Sequence, residues 1–137
     1  MIALRFLLLA WFVSTSFLCK QVMAAEGPPS FSEAQAERGH AAYQRTCLMC
    51  HGERLDDGDF GGAPLRGTWF REHWGKASAA SLYAYIQSAM PPDNPGSLTD
   101  TTYSDILAFI LHRNGYTAGG QDMPADLGRL EEMTLER

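Results

Sequence analysis

The chain has 137 residues, 45% of them hydrophobic, with 11 basic and 16 acidic side chains and a net charge of −5. That length accommodates one core of ordinary size and argues against a second. An acidic balance repels phosphate backbones, so nucleic acid is excluded as an expected partner.

The first element in chain order is an export signal over residues 1–24. Arg5 precedes an apolar run from Phe6 to Val13 that continues to Leu18, and Val22-Met23-Ala24-Ala25 supplies small residues for cleavage after Ala24. The run is shorter than the roughly 20 residues that span a bilayer. Cleaved, it leaves no stable membrane anchor and a chain in the periplasm; retained, it would anchor the chain facing the periplasm. Lipidation at Cys19 is disfavoured because Phe17 and Leu18 stand where small residues belong. Removing residues 1–24 leaves 9 basic against 16 acidic side chains, a net charge of −7, and two cysteines, Cys47 and Cys50, in a thiol-oxidising compartment.

Residues 25–33 are expected to be an exposed lead-in, since Gly27-Pro28-Pro29-Ser30 cannot open a helix or a central strand. A helix then begins at Ser32, where Ser32 and Gln35 have capping-box spacing. Ala36, Gly39 or His40, Tyr43 and Cys47 recur along one of its faces. From Gly52 to about Lys76 the chain is rich in glycine and charge and lacks periodicity, which predicts a long loop wrapped around a bound group, with Leu65, Trp69, Phe70 and Trp74 as apolar contacts. A second helix is predicted from about Ser78 to Ala89, with Leu82, Tyr85, Ile86 and Ala89 on one side and Met90-Pro91-Pro92 as its stop. A third runs from Asp100 to Arg113, capped by Thr99, apolar at Tyr103, Ile106, Leu107, Phe109 and Ile110, and ended by Gly115. The tail, 116–137, carries Leu127, Leu130 and Met133 at the spacing of a short amphipathic helix. The expected architecture is all-α: one domain over 34–115, three main helices and a long loop.

Cys47-Leu48-Met49-Cys50-His51 is a C-x-x-C-H sequence, the attachment signature of one c-type haem. Two thiols two residues apart can reach the two vinyl groups on one side of a porphyrin, and the next residue then presents a neutral imidazole to the iron. Three other uses of the same residues stay open: a structural zinc site, which needs four ligands; a thioredoxin-like redox pair, which expects a strand before the motif; and a plain disulfide. Met90, in its Met-Pro-Pro turn, is the candidate for the sixth iron position. Met49 is held between the cysteines, and Met123 and Met133 lie in the tail. His40, His73 and His112 are the alternatives that would make a bis-histidine iron. A methionine ligand favours ferrous iron and leaves no open site for substrate, which suits one-electron transfer.

These residues resemble the class I cytochrome c family from Ala34 to about Asn114. Gly39 and Tyr43 match the glycine and aromatic residue of the family's N-terminal helix, and Ile106 and Phe109 match its C-terminal helix. The resemblance implies that the two helices cross closely, with Gly39 at the contact. Gly62-Ala63-Pro64-Leu65 is similar to the family segment whose proline carbonyl accepts a hydrogen bond from the proximal imidazole, which implies a bond between the Pro64 carbonyl and His51. Met90-Pro91 matches the axial methionine turn. Met90-Pro91-Pro92 through Pro95-Gly96-Ser97-Leu98-Thr99, with Met123-Pro124-Ala125-Asp126, is similar to cytochromes that work with quinoprotein alcohol and sugar dehydrogenases. The resemblance implies an electron carrier rather than an enzyme: a dehydrogenase, of the quinoprotein type, as donor, and an oxidase or another cytochrome as acceptor. Two alternatives remain: the haem subunit of a larger oxidoreductase, and a haem enzyme or sensor with a displaceable sixth ligand. The acidic run Glu53, Asp56, Asp57 and Asp59 reads either as a face for a basic partner or as a solvated loop, and less readily as a calcium loop.

Overall fold

The computed structural model describes residues 27–137. The export signal expected over 1–24, and Cys19 within it, lie outside the described residues. Six helices follow in order: α1 (Glu33–Thr46), α2 (Leu48–His51), α3 (Gly67–Trp74), α4 (Ala79–Ala89), α5 (Asp100–Arg113) and α6 (Leu127–Glu131). The described residues contain isolated β-bridges but no strand, so the fold is the expected all-α one. None of these helices is long and apolar enough to cross a membrane.

The caps explain where three helices start. Ser32, Ser78 and Thr99 each have extended backbone, and each side chain accepts a bond from the amide three residues on, opening α1, α4 and α5. The capping box at α1 is only half made. Gln35 does not return to Ser32; its side chain is buried and binds the tail backbone at Met123.

α1 and α5 form the central pair, and Gly39 is the reason they come so close. A Cβ there would overlap the Asp105 carbonyl oxygen and lie 2.9 Å from Phe109 Cβ, so only glycine lets the two backbones meet. Tyr43 packs beside the crossing, its ring 5.1 Å from that of Phe109. Ile106, Leu107, Ile110 and Leu111 of α5 fill the core with Leu82, Tyr83 and Ile86 of α4. The inward face of α4 differs from expectation: Tyr83 is buried and Tyr85 is half-exposed, its ring 5.3 Å from Trp74.

Two further expectations are corrected. The stretch 52–76 is not a loop throughout, because α3 occupies its second half. Local propensity for that helix is poor, with glycine first and three aromatic rings among its eight residues. Tertiary contact supplies the missing drive: Asn114 at the end of α5 accepts from the Gly67 amide at 3.2 Å and donates to the Leu65 carbonyl at 2.8 Å, while Phe70 enters the core. The lead-in is exposed only in part: Pro28, Ser30 and Glu33 face solvent, but the residues between them are buried or half-buried. Phe31 is fully buried, Pro29 is buried, and the Gly27 amide and carbonyl bond to Glu132 and Thr134 in the tail. An extended segment needs no helix of its own to be held when a second extended segment lies beside it.

The tail closes over this edge. Leu130 and Leu135 are buried, the Tyr116 hydroxyl donates to the Leu135 carbonyl at 2.6 Å, and the Met133 carbonyl accepts from Ala79 at the start of α4.

Candidate functional site

Cys47, Cys50 and His51 occupy one helical turn. Cys47 ends α1, its carbonyl accepts from the His51 amide at 2.9 Å, and α2 carries the next four residues. Residues at i, i+3 and i+4 lie on one face of such a turn, so the C-x-x-C-H spacing brings both sulfurs and the imidazole to the same side. The thiols are not joined to each other, and both are half-buried. Burial pushes the Cys47 thiol above its ordinary pKa, opposed by the Thr46 hydroxyl 3.3 Å away. Tyr43 holds the exit of the turn: its buried hydroxyl donates to the Gly52 carbonyl at 2.7 Å.

The loop from Gly52 folds back onto this turn. The Gly62 amide donates to the Cys50 carbonyl at 2.9 Å, and a Cβ at Gly62 would lie 2.6 Å from that oxygen and 2.9 Å from His51 Nδ1. The loop therefore passes the imidazole at a distance only glycine permits. Here the expected partner of His51 is corrected. Nδ1 lies 2.8 Å from the Ala63 carbonyl oxygen, not from that of Pro64. The loop is fixed on both sides, at Gly62 by Cys50 and at Leu65 by the Leu55 carbonyl at 2.7 Å, and that register aims the carbonyl of Ala63 at the ring. A carbonyl oxygen can only accept, so Nδ1 carries the proton and Nε2 keeps its lone pair for a metal.

Met90 stands on a separate element, at the end of α4, with its amide on the Ile86 carbonyl at 3.0 Å and its side chain half-buried against the core. Its carbonyl accepts from the Tyr103 hydroxyl at 2.9 Å. Tyr103, read from periodicity as one apolar residue among five, thus has a polar role; a phenol placed on the inward face of a helix needs a partner, and that need was the available signal.

The three alternative histidines are engaged elsewhere. The His40 ring stacks on Phe109 at 4.7 Å, the His73 ring stacks on Trp69 at 3.8 Å with Nδ1 on the Trp69 carbonyl, and His112 faces Glu33 at 3.4 Å. The acidic run is largely paired within its own surroundings: Asp57 with Arg54 at 2.9 Å, Asp56 with Arg66 at 3.7 Å, Glu53 with His40 at 3.8 Å. Bonding to the Arg54 amide and guanidinium holds the Asp57 carboxyl below the usual carboxylate range. Among the described residues no three His, Cys, Asp or Glu side chains converge on a point where they could hold a metal ion.

The donors present are two unpaired thiols on one face, an imidazole oriented through Nδ1, and a thioether on a second element. Half-buried Leu48, Leu65, Trp74 and Leu98 pack, like Cys47 and Met90, against the hydrophobic core. The chemistry of these donors fits a c-type haem, which Cys47, Cys50, His51 and Met90 would hold.

Comparison with known proteins agrees with that chemistry. The family model described as cytochrome c oxidase, cbb3-type, subunit III matches residues 34–110. Among solved structures, the sulfane dehydrogenase SoxCD from Paracoccus pantotrophus matches with a TM-score of 0.54 and 20% identity over 77% of this chain and 54% of that one. At that identity the likeness speaks for the fold alone, and the chain spans about half the length of the one it matches. No curated protein matches.

Proposed function

From the premise that the chain belongs to the cbb3-type cytochrome c oxidase subunit III family, a family of c-type cytochrome domains that bind haem and transfer electrons, we propose that it is an exported monohaem carrier. It takes single electrons from a periplasmic dehydrogenase of the quinoprotein type and passes them to an oxidase or another cytochrome. Haem, when bound, supplies the reversible one-electron couple; the chain holds and orients it. In this reading Cys47 and Cys50 would hold it through thioethers, His51 Nε2 and the Met90 sulfur would ligate its iron, and residues 1–24 would be removed on export to the periplasm. The Ala63 carbonyl keeps His51 in the tautomer that donates from Nε2 and raises its basicity. No side chain is asked to make or break a substrate bond.

The observation that carries the proposal is the Nδ1–Ala63 bond beside two free thiols on one helical turn. The test is the haem itself. The purified protein should keep its haem through acid-acetone extraction, and its ferric form should show the methionine-sulfur-to-iron charge-transfer band, lost in Met90→Ala. Extractable haem would sink the covalent attachment, and immediate cyanide binding to a high-spin ferric protein would sink the two-ligand carrier.

A second reading, a fixed haem subunit of a larger oxidoreductase, is favoured by the description of the matched family as an oxidase subunit. Co-elution of the native protein with a large oxidoreductase on size exclusion would replace the free carrier with this one.

A further inference from the structure

The segment that follows Met90 has little to hold it in place. Residues 92–97 are all exposed, and the side chains next inward are half-buried Pro91 and Leu98 at its two ends. A turn bond from the Asn94 amide to the Pro91 carbonyl at 3.0 Å shapes it locally without fixing it to the body. The attachment comes from α5. Tyr103 is 1% exposed, rooted in the helix that crosses α1, and its hydroxyl donates to the Met90 carbonyl at 2.9 Å while accepting, at a longer 3.4 Å, from the Leu98 amide. One oxygen thus touches both ends of the exposed segment.

We propose that Tyr103 is a positioning residue for Met90: its hydroxyl pins the backbone at Met90 and Leu98 to α5, and so sets how readily the Met90 side chain leaves its place. The inference rests on the reading of Met90 as an iron ligand. Without this tie, Met90 would be held by the last turn of α4, and helix ends are where local opening begins. With it, displacing Met90 means breaking a partly buried hydrogen bond and leaving a phenol on the inward face of α5 without its main partner, which is costly to the extent that water cannot replace it. The same tie joins the end of α4 to the start of α5, where the Tyr83 hydroxyl makes a separate bond to the Asp100 carbonyl at 3.2 Å.

The test uses the haem-loaded protein and three variants. Tyr103→Phe removes the hydroxyl and keeps the buried ring. It should bind added imidazole to the ferric iron about fivefold faster or more, and speed amide exchange at Leu98 by a similar factor, with the charge-transfer band still present. Tyr83→Phe removes a comparable hydroxyl bond between α4 and α5 that does not touch Met90, and should leave both rates within about twofold of the parent. Tyr103→Phe rates within about twofold of the parent would overturn the proposal, as would an equal acceleration by Tyr83→Phe, which would mark general loosening. Met90→Ala separates the two layers: a band that survives it refutes Met90 as ligand, whereas Leu98 exchange reads the backbone tie whatever the iron binds.

Discussion

Two regions of this molecule are held by opposite means. Around the Cys47–His51 turn, backbone lies directly on backbone at glycines: Gly39 under the Asp105 carbonyl, Gly62 against Cys50 and His51. Around Met123 in the tail, side chains reach across to satisfy the backbone. Gln35 brackets Met123, donating to its carbonyl at 3.0 Å and accepting from its amide at 2.6 Å, and Ser104 donates to the same carbonyl at 3.0 Å. Arg38 joins Asp105 at 3.1 Å to Asp122 at 2.7 Å, and Asp122 also accepts from Ser32. The first region gains its precision from the absence of side chains, the second from their length. A glycine contact has no slack, whereas a side-chain clamp can yield one bond at a time.

The largest break in this contrast should come from Gly39→Ala. The new methyl has no route except into the Asp105 carbonyl, and the α1–α5 pair must separate. We expect a loss of about 3 kcal/mol or more, read by chemical denaturation of the haem protein. A cost near 1 kcal/mol would show that the crossing can relax. Gln35→Ala comes next, with an expected loss of about 2 kcal/mol, because it strands a buried amide and weakens the hold on a buried carbonyl. Amide exchange at Met123 should accelerate while that at His51 does not, and equal acceleration at both would mean that the two regions are one unit.

The smallest effect concerns acid. Bonds from Ser32 and Arg38 hold the Asp122 carboxyl below the usual carboxylate range. A group whose folded pKa is depressed contributes stability above its unfolded value, about 4, and loses that contribution as the pH falls through the folded one. The tail around Met123 should therefore loosen as the pH drops below about 4, and Asp122→Asn should remove that dependence with little change at neutral pH, since the pair is exposed. Unchanged acid behaviour in the variant would assign the effect to another carboxylate.

The same division separates what could be read in advance from what could not. α5 runs over its expected residues, with Thr99 as cap and Gly115 beyond its end, because its apolar periodicity and both end signals agree. The C-x-x-C-H turn was equally plain, since the spacing of those residues is itself the geometry. α3 was not legible: its residues are weak helix formers, and the helix depends on Asn114, more than forty positions later. The resemblance implies the Pro64 carbonyl as the His51 partner, and the observed partner is Ala63, one residue earlier, because the register is set by two backbone bonds that leave no mark in composition. Phe31 is buried where an exposed lead-in is expected, because Pro28 and Pro29 describe local backbone and say nothing of what packs against it.

By itself, then, the sequence determined that two thiols and an imidazole share one turn and where the main helices α1, α4 and α5 run, while the resemblance implied the pairing at Gly39. Those features depend on residue type and short spacing, and both are local. Only the tertiary structure decided which carbonyl steers His51, that the tail clamps the N-terminal edge, and that Tyr103 reaches Met90. Each of these is a bond between segments distant in the chain, and its partner is chosen by packing among many groups equally able to make it.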